Sequence, residues 1–151
     1  MGMMELMAVQ PRMAAVLDSA VVDGDVRVVA TLRALGNHLS LDLMAVDASG
    51  GSVNVVDRLG DGFAAVTSPL MDLADEHRAA SYVPGAGSWF VGVFTLSVGG
   101  GLEVETDFDS APLTGSYPVA RRVDCVRELE MFPRSEANIP GWLAEGVVSG
   151  A

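Results

Sequence analysis

The sequence predicts a single α+β domain over residues 1–151, with an antiparallel sheet of about six strands and an N-terminal, a middle and a C-terminal helix. Three observations predict it. Apolar residues alternate with polar ones in several short runs, the mark of half-buried strands. Other apolar residues repeat every three or four positions, the mark of amphipathic helices. Glycine-rich turns separate the runs, as in Ser49-Gly50-Gly51 and Gly99-Gly100-Gly101.

Taken in order, Pro11 suits the first turn of a helix, where its missing N–H costs nothing. Met13, Val16, Leu17 and Ala20 continue at helical spacing, and Asp23-Gly24-Asp25 ends the run. Val26, Val28, Ala30 and Leu32 alternate with Arg27, Val29, Thr31 and Arg33, which predicts a strand. After the Gly36-Asn37 turn, Leu39, Leu41, Leu43 and Ala45 alternate with Ser40, Asp42, Met44 and Val46 in a second strand. Residues 53–56 and 63–66 flank Leu59-Gly60-Asp61-Gly62 and read as a third and a fourth strand.

Ser68-Pro69 reads as a helix start, a hydroxyl cap followed by proline, with Leu70, Leu73, Ala74 and His77 on one face. Asp72, Asp75 and Glu76 near its beginning suit the positive end of the helix dipole. Residues 89–98 and 102–109 form a hairpin across the triple glycine. Val119, Val123, Val126, Leu129 and Phe132 predict the C-terminal helix, which Pro133 stops. Ile139-Pro140-Gly141-Trp142-Leu143 reads as a short apolar tail whose Trp packs back onto the domain.

Composition narrows the function. Half the residues are hydrophobic and 19% are charged, which is globular and not disordered. The net charge is −11, and all nine basic residues are Arg. That balance argues against binding nucleic acid or an anionic membrane, which requires clustered cations. It suits a basic partner or simple solubility. The lone Cys125 forms no internal disulfide. Residues 1–9 lack the basic start of a signal peptide, and no apolar run approaches a membrane span, so a cytosolic location is expected.

The unusual local feature is the run 102–109. Glu103, Glu105, Asp107 and Asp109 share one face of an extended strand, roughly 7 Å apart. Each adjacent pair repels by about 0.6 kcal/mol in water and by more in a dry setting. The face must therefore meet water, a basic partner or a cation. Arg27 and Arg33 would neutralise part of it if their strand lay alongside. Asp107-Phe108-Asp109 lacks the glycine and distant glutamate of a calcium loop.

Catalytic signals are weak. His38 and His77 stand in no metal or nucleophile motif, and His77 closes an apolar helix face, which favours packing. There is no G-x-S-x-G elbow and no CxxC pair. Gly85-Ala86-Gly87-Ser88 leads into a strand, without the helix start that holds phosphate. Cys125 reads as an ordinary thiol, although Arg121 and Arg122 lie one turn away. No catalytic residue, metal set or cofactor is expected.

The second half of the chain carries an ordered set of short elements: Val83-Pro84-Gly85-Ala86-Gly87-Ser88-Trp89-Phe90, Asp107-Phe108-Asp109-Ser110-Ala111-Pro112, Met131-Phe132-Pro133-Arg134-Ser135 and Ile139-Pro140-Gly141-Trp142-Leu143. Over residues 83–143 this order resembles the YezG-like immunity proteins of bacterial toxin systems. Phe108 stands where that family commonly has Tyr. The resemblance implies an intracellular antitoxin that binds a cognate protein toxin, often a basic nuclease, and blocks it. Glu103, Glu105, Asp107 and Asp109, with Asp124, Glu128 and Glu130 on the following helix, become the candidates for an acidic contact surface. Two other readings stand beside it. One is an acidic secretion chaperone that holds an exported protein unfolded. The other is a small-ligand binder or enzyme, which needs a pocket with converging carboxylates around His38 or His77.

Overall fold

The computed structural model describes residues 2–149. Its elements are α1 (Met3–Ser19), β1 (Asp25–Leu35), β2 (His38–Asp47), β3 (Ser52–Asn54), α2 (Val55–Leu59), α3 (Ala64–Ala80), β4 (Val91–Ser97), β5 (Leu102–Asp107), α4 (Arg122–Met131) and α5 (Gly141–Ser149). The five strands form one antiparallel sheet in the order β3-β2-β1-β4-β5. Met1, Gly150 and Ala151, which the expected domain also included, lie outside the described residues.

Alternation along β1 sorts its side chains. Val28, Ala30 and Leu32 are fully buried and pair with Ala45, Leu43 and Leu41 on β2 and with Leu96, Phe94 and Gly92 on β4. Helices α1 and α3 cover this inner face with Met13, Leu17, Leu70 and Leu73. Each fully buried Leu or Phe side chain contributes about 1.5–3 kcal/mol, so this face dominates the stability. Gly92 is required there. A Cβ at its position would stand 2.8 Å from the Phe94 ring and 3.2 Å from Trp89. A second, smaller core packs Leu35, Phe90, Tyr117, Cys125 and Leu143 beneath α4 and α5.

The structure corrects several expectations. There are five strands among the described residues, not six, and five α-helices, not three. Residues 53–56 are strand only as far as Asn54. Its side chain accepts from the backbone N–H groups of Val56 and Asp57 and so starts α2. Arg58 anchors that short helix by a two-pronged pair with Asp25, at 3.0 and 3.1 Å, and by the Ala20 carbonyl at 2.8 Å. Residues 63–66 lead into α3 instead of forming a strand, because Val66 continues the buried face of Leu70, Leu73 and His77.

Both prolines expected to open helices lie inside them. A proline removes the hydrogen bond to the carbonyl four residues earlier. Those carbonyls belong to Met7 and Ala65, both exposed residues, where solvent can take the place of the missing donor. The expected apolar tail is helix α5. Its Trp142 does pack back, edge-on to Phe90 with ring centres 4.8 Å apart.

The face of α4 also differs. Val119 and Val123 are exposed, while Asp124, Cys125 and Glu128 point inward. The cause is Arg78 on α3, whose buried guanidinium takes Glu128 as its counterion. No helix among the described residues is long and apolar enough to cross a membrane.

Candidate functional site

The other face of the sheet carries the candidate site. Register places its side chains in three rows that run across the strands. Met44, Val29, Thr95 and Glu103 form one; Asp42, Thr31, Val93 and Glu105 the next; Ser40, Arg33, Val91 and Asp107 the third. Each row ends on β5 in a carboxylate. Val29, Met44 and Val93 belong to neither core and are half-buried on this face, beside Thr31, Thr95 and Arg33.

The acidic row is shorter than expected. β5 ends at Asp107, whose Oδ1 accepts from the N–H groups of Asp109 and Ser110 and turns the chain. Those bonds, the Ser110 backbone first, hold the Asp107 carboxyl below its usual range. Asp109 therefore leaves the strand, and Glu103, Glu105 and Asp107 remain in line. Glu105 and Asp107 border a shallow cleft of about 550 Å³ that Val91, Val93, Phe108 and Asp109 also line.

Arg27 and Arg33 share this face, but β4 stands between their strand and β5. Two strand spacings, roughly 9.6 Å, separate the backbones. Arg33 pairs with Asp42 at 2.8 Å instead. Among the described residues no ion pair reaches Glu103, Glu105, Asp107 or Asp109.

The helix candidates separate. Glu128 is fully buried: one oxygen accepts the Gly36 N–H at 2.8 Å and the other meets Arg78 at 2.5 Å. Asp124 is buried too, accepting from the Tyr117 hydroxyl at 2.5 Å and from Arg121 at 3.1 Å. Glu128 has no oxygen to offer a partner, whereas both bonds to Asp124 fall on Oδ2 and Asp124, 6% exposed, lies at the edge of a cleft away from the sheet face. Glu130 is exposed but borders that same cleft, with Asn37, Arg122 and Arg127.

The groups that a catalyst would need are engaged in packing. The Nδ1 of His77 accepts from Trp89 Nε1 at 3.1 Å, which leaves the ring proton on Nε2. The Gln10 amide lies 3.1 Å from Nε2 and, turned oxygen-first, accepts that proton. Burial pushes the His77 pKa down to about 4, so the ring is neutral at pH 7. His38 stacks on Tyr117 with ring centres 3.8 Å apart. Burial, then the charges of Asp124 and Glu128, push the Cys125 thiol up. Arg121 and Arg122 do not reverse this, because Arg121 binds Asp124 and Arg122 binds the Val147 carbonyl.

Two residues that sequence reasoning passed over organise this half of the molecule. Arg78 is 2% exposed and also donates to the Trp89 carbonyl at 2.7 Å. Its spacing of four and eight residues from Ala74 and Leu70 marked it as inward-facing. Arg134 donates to the carbonyls of Ser88, Phe108 and Asn138 at 2.9–3.0 Å and lies 4.6 Å over the Phe90 ring. The Gly85 carbonyl accepts from the Ser135 N–H and the Asn138 amide, and Trp142 Nε1 donates to the Asp109 carbonyl at 2.6 Å. The four separated elements of residues 83–143 thus meet at one corner, tied mainly through backbone carbonyls. No family model matches the chain, and no curated protein matches it.

Proposed function

We propose that this protein is an immunity protein, which binds a cognate bacterial toxin domain in the cytosol and blocks it. The observation that carries the reading is the outer sheet face, where half-buried Val29, Met44 and Val93 run out to Glu103, Glu105 and Asp107, carboxylates that no ion pair reaches among the described residues. Apolar area supplies the affinity of a protein interface, while uncompensated charge speeds encounter and selects the partner. The resemblance over residues 83–143 supports a toxin as that partner. A basic toxin domain fits the acidic edge. Catalysis has less support, because His77, Cys125 and Asp124 are engaged within the fold.

The secretion-chaperone reading draws on a different surface. Met3, Met4 and Met7 on α1 are 69–80% exposed, and methionines adapt to irregular apolar segments. Co-purification of the full-length protein with the product of the adjacent gene tests both readings. A folded, protease-resistant toxin domain that is released by salt supports the immunity reading. A protease-sensitive partner held through α1 would overturn it in favour of the chaperone.

A further inference from the structure

β5 is the outermost strand on its side of the sheet and pairs with β4 alone. One row of its backbone N–H and C=O groups therefore points away from the sheet. Proteins blunt such edges with a proline, a bulge, a very short strand or charged side chains, and here the only such device is the carboxylate row itself, which repels like strands but not a cationic one. β5 has six residues, none of them proline or lysine, and its register against β4 runs unbroken from Leu102 to Asp107. The opposite edge, β3, has only three residues.

The two sides of β5 ask for different chemistry. Leu102 and Val104 pack on the main core yet remain half-buried, as the last side chains of the inner face. Glu103 and Glu105 stand exposed on the outer face. A second copy of β5 is a poor occupant, since antiparallel self-pairing sets carboxylate opposite carboxylate. Nucleic acid and anionic lipid are repelled for the same reason. A strand that alternates cationic with apolar residues satisfies the backbone, the carboxylates and the open end of the core together.

We propose that β5 accepts an added β-strand from the partner protein, one in which Arg or Lys alternates with Val, Ile or Leu. The cations lie over Glu103 and Glu105, and the apolar residues extend the core past Leu102 and Val104. This rests on the protein-binding reading above and adds the mode of contact.

The test uses the full-length protein and a peptide of about ten residues alternating Arg and Val. The same peptide is also made with N-methyl groups on alternate residues, in both phases. Calorimetry reads affinity, and amide hydrogen exchange reads location. The unmodified peptide is expected to bind and to slow exchange at residues 102–107. One N-methyl phase, which removes the N–H groups facing β5, weakens binding by about tenfold or more, while the other phase retains it. Equal binding by both phases, or exchange unchanged at β5, overturns strand addition, with the partner reading still judged by co-purification alone. A captured partner that the unmodified peptide fails to displace also overturns it.

Discussion

Arg78 and Glu128, 50 residues apart in the chain, meet at 2.5 Å in a pocket that leaves their side chains 2% and 0% exposed. The pair joins α3 to α4, and its remaining bonds reach the Trp89 carbonyl and the Gly36 N–H. It holds the second core against the sheet.

Removing one partner of such a pair strands the other charge in a dry site. Glu128→Ala is expected to cost about 3–5 kcal/mol, measured by urea unfolding. The double change Arg78→Met with Glu128→Leu is expected to cost well under the sum of the single changes. Additive losses would show that each residue contributes by itself.

His77 makes stability depend on pH. Its folded pKa, about 4, lies below the unfolded value near 6.5, so the unfolded chain binds the proton more readily. The contribution is complete above about pH 6.5 and falls as pH drops toward 4, by about 3 kcal/mol in all. Urea midpoints at pH 7 and pH 4.5 measure the loss. The substitution His77→Gln is expected to flatten the slope in that window, whatever it does to stability at pH 7.

Gly87 and Arg134 form a second fixed contact. Gly87 has φ +86°, and a Cβ there would lie 2.2 Å from Arg134 Nε. Gly87→Ala is expected to cost about 2 kcal/mol or more, read from thermal unfolding. Arg134→Lys is expected to destabilise as well, since one ammonium cannot reach the Ser88, Phe108 and Asn138 carbonyls together.

Cys125 is fully buried, and a Cβ at Gly146 would stand 2.5 Å from its sulfur. The native protein is expected to resist a thiol reagent at pH 8, with reaction limited by unfolding, whereas the urea-unfolded chain reacts at once. Equally fast reaction in both states would contradict the burial of the thiol.

Much of the sheet was legible because β1, β2 and the β4–β5 hairpin obey strict alternation. The valines of residues 53–56 and 63–66 misled for a physical reason. β-branched residues favour strands, but the Asn54 cap and the buried face of α3 act through contacts that lie outside those short windows. Pro11 and Pro69 read as helix starts because tolerance of an interior proline depends on whether the freed carbonyl meets water. The face of α4 was hidden because Arg78 fixes it from another helix. The acidic row was read correctly at Glu103 and Glu105. Its end was not, since the Asp107 side chain turns the backbone.

The most direct measurement compares the wild type with Glu103→Lys/Glu105→Lys in binding the protein partner that co-purification identifies, by calorimetry at low and physiological salt. Both side chains are exposed and unpaired, so the double variant should fold normally, as circular dichroism will show. The account predicts binding by the wild type that weakens with salt, and binding by the variant that is at least about tenfold weaker at low salt. Equal affinity for a correctly folded variant would contradict it and place any partner on another surface.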